Sequence, residues 1–202
     1  MKPGLRALVL GVLMTVPSLS DSAAKVTYGE KTIHYTVNGR SGQEIYSQIG
    51  KRGPRVSGQR DHKVATTTMT FDVRGVKAGI KGTRCLVTGV DVHVNVVYRI
   101  PKWTGKGSPA LRKAWAAFEA HLWRHEKRHR DIGIEYARRV ESDIKKLSGD
   151  ARRDCAGMVD QAKRLAKASS AWHDRKQQAF DATWFGDGGQ QFKYDRALMA
   201  TK

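Results

Sequence analysis

Apolar and histidine side chains recur every three or four residues along one stretch of this chain, between residues 111 and 144. This spacing matches the turn of an α-helix and places the side chains on one face. The members of that face are Leu111, Trp115, Phe118, Leu122, His125, His129, Ile132, Tyr136, Val140 and Ile144. Ser108 is suited to cap the helix, with Pro109 at its first position. The sequence therefore predicts one long helix whose apolar face must be buried against another element.

A second stretch alternates with a period of two, over residues 85–100. Such alternation predicts a long β-strand with one buried face. The buried face would carry Leu86, Thr88, Val90, Val92, Val94, Val96, Tyr98 and Ile100. His93 falls on the opposite, polar face, where we expect a solvated or hydrogen-bonded histidine rather than a metal ligand.

The other segments predict shorter elements. These are β-structure over residues 26–37, a capped helix beginning at Ser41, a strand over residues 64–73, a hairpin connection over residues 75–82, and a helical run from about residue 150 to residue 180. Together they predict an α+β fold, in which a small, mostly antiparallel sheet packs against the long helix and a second, C-terminal helix.

The first 24 residues have the composition of a secretory signal peptide. Lys2 and Arg6 precede an apolar run over residues 7–16, and small residues end the segment at Ala24. The run is about half as long as a membrane-spanning helix requires. We expect cleavage near Ala24, a secreted or periplasmic location, and a single domain over residues 25–202.

The chain is strongly basic, with 37 lysines and arginines against 19 aspartates and glutamates, and a formal charge of +18. Removal of residues 1–24 would leave +17. This charge is expected to attract anionic cell-envelope polymers or lipid head groups. Export argues against nucleic acid as a partner, and no transmembrane segment is predicted.

The two cysteines, Cys85 and Cys155, both lie in the part expected to be exported. An even number of cysteines in an oxidising compartment predicts a disulfide bond. The bond would close a loop of about 70 residues and stabilise the fold by about 4 kcal/mol in the chain-entropy view.

His125, Glu126 and His129 form an HExxH motif in the middle of the predicted helical face. Two histidines four residues apart project from one side of a helix and can bind one Zn²⁺ ion. Burial of both imidazoles requires partners for their nitrogen atoms, and a metal ion is one solution. Glu126 lies at the edge of the face, where it can act on a zinc-bound water without being a ligand. His121 would extend the row of histidines to about 12 Å, which is too long for one ion.

These features make the chain resemble a bacterial family of unknown function that is described as predicted secreted zinc-dependent proteases. The matching segments, in chain order, are residues 35–40, Arg52-Gly53-Pro54, the strand that begins at Cys85, Pro101-Lys102-Trp103, residues 125–132, and Cys155. The resemblance implies an exported α+β domain with zinc-dependent protease activity.

One position departs from the pattern of this family, whose C-terminal stretch often reads aromatic-Asp-x-x-Thr-x-His-Gly. Phe180, Asp181, Thr183 and Gly186 match that pattern, and Phe185 stands where histidine is usual. If that histidine is a ligand or a catalytic group in the family, this protein lacks it.

A catalytic zinc site usually has three protein ligands and a water molecule, so a third ligand is needed beside the two histidines. Asp181, brought back by the second helix, is the favoured candidate, and His173 on the same run is an alternative. Glu135 is another alternative, because one large group of zinc proteases places its third ligand ten residues after the first histidine. On an unbroken helix, however, Glu135 would point about 120° away from the centre of the apolar face.

The leading functional hypothesis is a zinc-dependent metallopeptidase that hydrolyses a peptide or protein substrate, with Glu126 as the general base. The alternative, motivated by Phe185 and the basic charge, is a catalytically weak or inactive envelope protein that binds anionic polymers. An amidase or peptidase acting on cell-wall peptides would share the metal chemistry and differ in substrate.

Overall fold

The structure, a computed structural model, describes residues 25–56, 58, 61–185 and 189–202. The predicted signal peptide at residues 1–24 lies outside this part. The predicted α+β class is confirmed. The elements in chain order are β1 (Lys25–Val37), α1 (Gly42–Arg52), β2 (Thr66–Lys81), β3 (Arg84–Trp103), α2 (Pro109–Lys145), β4 (Ser148–Asp150), α3 (Met158–Ala168), α4 (Ser170–Phe185) and α5 (Gln190–Met199). Among the described residues, no helix combines the length and apolar character needed to cross a membrane.

The long strand β3 is the centre of the sheet. The strand order is β1-β3-β2, and the short β4 pairs with the start of β3. β2 and β4 run antiparallel to β3, as predicted for most of the sheet, whereas β1 runs parallel to it. Every second side chain from Val90 to Ile100 is buried, so the predicted alternation is present over that part of the strand.

The predicted hairpin connection over residues 75–82 is wrong in extent. β2 continues to Lys81, and the chain turns at Gly82. The register of β2 against β3 shifts just after Gly75, whose φ is +62°. A glycine that was interpreted as part of a loop therefore serves a β-bulge, where a positive φ is needed.

The predicted helical run from about residue 150 to residue 180 is also wrong in extent, because α3 and α4 are separate helices. Residues 151–157 form a turn in which the Asp154 carboxylate accepts a hydrogen bond from the backbone N–H of Asp150 at 2.6 Å. Aspartate commonly bonds nearby backbone in this way, and such a bond competes with helix formation.

Cys85 and Cys155 form the predicted disulfide bond, with their Cα atoms 5.4 Å apart. Cys85 is fully buried at the start of β3. The bond ties the turn before α3 to the sheet, so that α3 packs against both β2 and α2.

Two buried apolar clusters lie along α2. The first joins the C-terminal half of α2 to the buried face of β3 and includes Val92, Val94, Val96, Ile100, Tyr136, Val140 and Ile144. The second joins the N-terminal half of α2 to α1 and α5 and includes Ile45, Ile49, Leu111, Trp115, Phe118, Leu122 and Leu198. The HExxH residues therefore lie at the boundary between the two clusters.

The C-terminal end of the chain packs on α1 through Gly42. The backbone N–H of Gly42 donates to the carbonyl oxygen of Thr201 at 2.9 Å. A Cβ atom at Gly42 would lie 1.7 Å from the carbonyl oxygen of Leu198. Only glycine allows this close approach of the last turn of α5.

We expect Gly42→Ala to destabilise the protein by about 1–3 kcal/mol, because the new methyl group collides with backbone that cannot move aside. Gly50 lies in the same helix, and a Cβ there meets no other atom within 4 Å. Gly50→Ala is the matched control and should stabilise the protein by up to about 1 kcal/mol through helix propensity. Urea unfolding of both variants measures the difference, and equal effects would contradict the close contact at Gly42.

Candidate metal centre

His125 and His129 lie one turn apart on α2 and approach each other closely. Their Nε2 atoms are 2.9 Å apart, and their ring planes are nearly perpendicular, at 85°. His125 is only 5% exposed, and His129 is half-buried. Two imidazole nitrogens at this separation need a proton or a cation between them, because two lone pairs facing each other repel.

Asp181 on α4 supplies a third donor atom to the same spot. Its Oδ1 atom lies 3.2 Å from His125 Nε2 and 3.1 Å from His129 Nε2. Burial raises the pKa of the Asp181 carboxyl, but the contacts with the two imidazoles lower this pKa by a larger amount. The resulting pKa lies well below the usual range. Burial lowers the pKa of His129, and its bonds to Asp181 and Gln177 outweigh this and raise it. Asp181 is therefore anionic and attracts positive charge to the position between the imidazoles.

The triangle formed by these three atoms has the size of a metal coordination face. Its edges are 2.9, 3.1 and 3.2 Å. Ligands bonded at about 2.0–2.1 Å to a tetrahedral zinc ion lie about 3.3 Å apart, which is close to these lengths. Among the described residues, this is the group of histidine and acidic side chains that can hold a metal ion. Two imidazoles and one carboxylate suit zinc, and they also suit Fe(II).

Gln177, one turn before Asp181 on α4, fixes the orientation of His129. The Nδ1–H group of His129 donates to Gln177 Oε1 at 2.5 Å, and Gln177 Nε2 donates to the backbone carbonyl of His129 at 3.1 Å. A proton on Nδ1 leaves the lone pair of Nε2 facing the candidate site. Such outer partners of a metal-binding histidine set its tautomer and ring orientation.

Aromatic side chains of α4 cover the two imidazoles. The Phe180 ring stacks on His125 at 4.9 Å and meets the edge of His129 at 5.1 Å. Trp184 lies 5.0 Å from His125. These rings cover the imidazoles on the side of α4 and lower the local polarity there, which strengthens the electrostatic interactions of the imidazole nitrogens.

Glu126 is buried beside the triangle, with 3% of its surface exposed. Its Oε2 atom accepts a hydrogen bond from the Thr67 hydroxyl on β2 at 2.6 Å. Burial raises the pKa of Glu126 above its ordinary value, and the lowering effects of Thr67 and the two imidazoles do not cancel this. The carboxylate is thus a stronger base than an exposed glutamate.

A cleft of about 730 Å³ opens over this group. His125, Glu126, His129 and Asp181 all line it, and so do residues 62–69. The candidate donor atoms and the buried carboxylate are therefore accessible from one cavity.

The comparison with known protein families now bears on this site. The profile of a family described as bacterial protein of unknown function (DUF922) matches residues 32–188, which is more than half of the chain. The chain belongs to this family. The match includes β3, α2 and all of α4, and with them every donor atom of the triangle. No curated protein and no solved structure matches the chain.

Membership of DUF922 confirms the resemblance predicted from the motifs. The description of the family assigns no activity, and the protease label that the resemblance carried is not part of it. Support for the reaction of this DUF922 member therefore comes from the geometry of its site.

The structure places the three candidates for the third ligand at different distances from the two histidines. Asp181 joins the two HExxH histidines, whereas Glu135 is exposed because α2 continues unbroken past it. His173 lies outside the triangle, since its Nε2 atom is 2.9 Å from Gln177 Nε2 and its ring packs on Phe71 and Tyr136. Neither alternative is brought into the cluster.

Three positions near the site received no role from the sequence. His121, one turn before His125, stacks between Trp184 and Tyr194 at 4.6 and 4.2 Å. Gln177 could have been found, because His173, Gln177 and Asp181 recur every four residues on one helix. Thr67 could not have been found from the sequence, since it lies in a run of three threonines and nothing in their spacing distinguishes it.

Phe185 lies at the rim of the cleft, at the position where the family pattern usually has histidine. Its ring is 48% exposed and lies 5.2 Å from the ring of His125. The departure from the family pattern is therefore next to the candidate metal site and not on a remote surface.

We expect Asp181→Ala to weaken zinc binding by more than about a hundredfold, because removing an outer partner alone already costs about 10- to 100-fold. Gln177→Leu should weaken zinc binding by only about 10- to 100-fold. Glu135→Gln, which removes an exposed carboxylate from α2, is the matched control and should leave the affinity unchanged. Competition with a chromophoric chelator measures the three affinities. Equal weakening by Glu135→Gln and Asp181→Ala would contradict the assignment of Asp181.

We expect Glu126→Gln to raise the melting temperature of the metal-free protein at pH 7. The raised pKa means that the folded state disfavours the carboxylate relative to the unfolded chain. The cost exists above the ordinary pKa of about 4.3 and disappears toward lower pH, where both states are protonated. Thermal unfolding with a chelator between pH 4 and pH 8 checks this. The difference in melting temperature between Glu126→Gln and the unmutated protein should shrink toward pH 4. A lower melting temperature of Glu126→Gln at pH 7 would refute the prediction.

Proposed function

We propose that this protein is a zinc-dependent hydrolase of peptide bonds. The observation that supports the proposal best is the convergence of His125 Nε2, His129 Nε2 and Asp181 Oδ1 within 3.2 Å of one another. The buried Glu126 lies beside them and is not one of the three donors. A carboxylate placed next to a metal site in this way suits the activation of a water molecule.

Each residue has a role in this proposal. His125, His129 and Asp181 hold the ion, which when bound supplies Lewis-acid polarisation of a carbonyl group and a more acidic water. Glu126 receives the proton of the attacking water at Oε1, because Oε2 already accepts the Thr67 hydroxyl. It then delivers the proton to the leaving nitrogen. The raised pKa of Glu126 supports this role, since a group that takes and returns a proton works best when its pKa is near the operating pH.

The shape of the cleft favours an extended peptide as the substrate. β2 has one strand neighbour, β3, and so lies at an edge of the described sheet. Four consecutive residues of β2, 66–69, line the cleft beside Glu126. Alternate side chains of a strand point to opposite faces, so consecutive residues can all line a cavity only if the strand presents its edge. An exposed edge can pair with an extended peptide through backbone hydrogen bonds.

We also propose that the protein acts outside the cytoplasm, in the periplasm or after secretion. The composition of residues 1–24 supports cleavage near Ala24. The Cys85–Cys155 bond supports an oxidising compartment. A cell-wall peptide would be cleaved by the same site, with a different substrate and the same residues.

A second candidate function is binding without catalysis. Phe185 favours it, because an apolar ring stands next to His125 where the family pattern has histidine. In that case the basic surface would hold an anionic envelope polymer, and the metal site would be weak or inactive.

The decisive experiment compares the mature protein with Glu126→Gln and Glu135→Gln. We expect about one zinc ion per chain in all three, since neither glutamate is a proposed ligand. Hydrolysis of a generic unfolded protein substrate should fall by about a hundredfold or more in Glu126→Gln. Glu135→Gln controls for the loss of an acidic residue from α2 and should keep full activity.

Two outcomes would overturn the peptidase proposal. One is absence of bound zinc at micromolar supply. The other is bound zinc with equal hydrolysis, or none, in the protein and in Glu126→Gln. Zinc binding without hydrolysis would support the second candidate function.

A further inference from the structure

Three basic side chains line the cleft that holds the candidate metal site. Arg55, Lys63 and Arg99 line the same cavity as the candidate ligands. The acidic residues that line it are Glu126 and Asp181, and both lie at the metal end, where Thr67 and the two imidazoles contact them. The cleft is therefore lined by basic as well as acidic side chains.

Basic residues cover much of this chain, but the side chain of Arg55 is held in place. Its Nε–H group donates to His62 Nε2 at 2.8 Å, and His62 Nδ1–H donates to the carbonyl oxygen of Gly53 at 2.6 Å. These two bonds require the His62 tautomer with its proton on Nδ1. The guanidinium is thus oriented through Nε, and its two terminal nitrogens form no hydrogen bond with the described residues.

The backbone fixes the position of this arginine as well. Arg55 and His62 form an antiparallel β-bridge, and the N–H of Lys63 donates to the carbonyl of Pro54 at 2.9 Å. Arg99 pairs with Thr66 across β2 and β3, so its side chain emerges on the same side of the sheet as Thr66. The three cations therefore come from adjoining backbone segments at the start of β2.

None of these three cations forms an ion pair with a carboxylate of the described residues. Other basic side chains do, as in the contacts of Arg130 with Glu30 at 2.9 Å and of Lys145 with Glu141 at 2.8 Å. An oriented guanidinium without a carboxylate partner can bind an incoming carboxylate through two parallel hydrogen bonds.

We infer that the cleft selects peptides that carry a carboxylate, either an acidic side chain or the C-terminal carboxylate, and that Arg55 binds this group with support from Lys63 and Arg99. His62 is a positioning residue for Arg55. The inference rests on the proposed function for the cleavage step, but the binding of the carboxylate does not require hydrolysis.

The test uses a set of fluorescent octapeptides in which one glutamate is moved along a neutral sequence. Each has a glutamine counterpart and is made with a free or an amidated C-terminus. Affinities are measured by fluorescence anisotropy with the zinc-loaded Glu126→Gln protein. Arg55→Gln, His62→Ala and Arg138→Gln are compared in that background. Arg138 is exposed on α2 and does not line the cleft, so it controls for the loss of one positive charge.

We expect the protein to bind the best glutamate peptide, or the free-acid peptides, about five- to tenfold more tightly than the neutral counterparts, as a partly exposed charged pair allows. Arg55→Gln should reduce this ratio to below about twofold. His62→Ala should reduce it in part, with unchanged affinity for neutral peptides and unchanged zinc content. Arg138→Gln should leave it intact. The position of the effective carboxylate distinguishes a side chain from the C-terminus.

Equal affinity for charged and neutral peptides would overturn the inference, and so would equal loss of the preference in Arg55→Gln and Arg138→Gln. Hydrolysis assays of the unmutated protein separate this result from the proposed function. Cleavage without a preference for carboxylates would reject the inference and keep the peptidase. An Arg55-dependent preference without cleavage would keep the carboxylate site and reject the peptidase.

Discussion

The burial of two imidazoles in the middle of one helix is the constraint on which the rest of this structure depends. His125 and His129 lie where the two apolar clusters along α2 meet. A buried polar group without a partner costs about 1 to several kcal/mol. From a helix that comes later in the chain, Asp181 contacts the Nε2 atoms of both histidines, and Gln177 contacts the Nδ1 atom of His129. The Nδ1 atom of His125 has no hydrogen-bond partner among the described residues. The packing on both sides of the histidines holds α2, so the donor atoms are positioned by the core and not by a loop.

The helix that completes the cluster is held in an unusual way. α4 has no fully buried residue. It is attached by its contacts with the histidines, by the bonds of Gln177, and by the aromatic rings of Phe180 and Trp184. The same contacts thus position α4 and shape the candidate metal site. A ligand that binds the three donor atoms would stabilise the docked helix by linkage.

Much of the fold could be predicted because two of its elements are long and strongly periodic. The stripe of α2 and the alternation of β3 are properties of single segments, and the structure has both. The parallel pairing of β1 and the bulge at Gly75 could not be predicted, since they depend on which strand lies alongside and not on the segment itself.

The candidate site could be predicted in part, for the same reason. The spacing of the HExxH residues alone predicts that His125 and His129 lie on one side of α2. The sequence left Asp181 as one of several candidates, because its position beside the histidines depends on how α4 packs. The Arg55–His62 pair depends on a backbone turn that no periodicity reveals.

The disulfide bond and the candidate donor atoms divide the chain into two parts that differ in their response to a cut in the backbone. The covalent loop between Cys85 and Cys155 encloses both histidines and leaves Asp181 outside. A cut in the backbone between α3 and α4 would leave the sheet, α2 and the disulfide bond in one covalent piece, whereas α4 and α5 would stay attached only through noncovalent contacts. Asp181 would then lie on a separate fragment, and its position beside the two histidines would depend on that association alone.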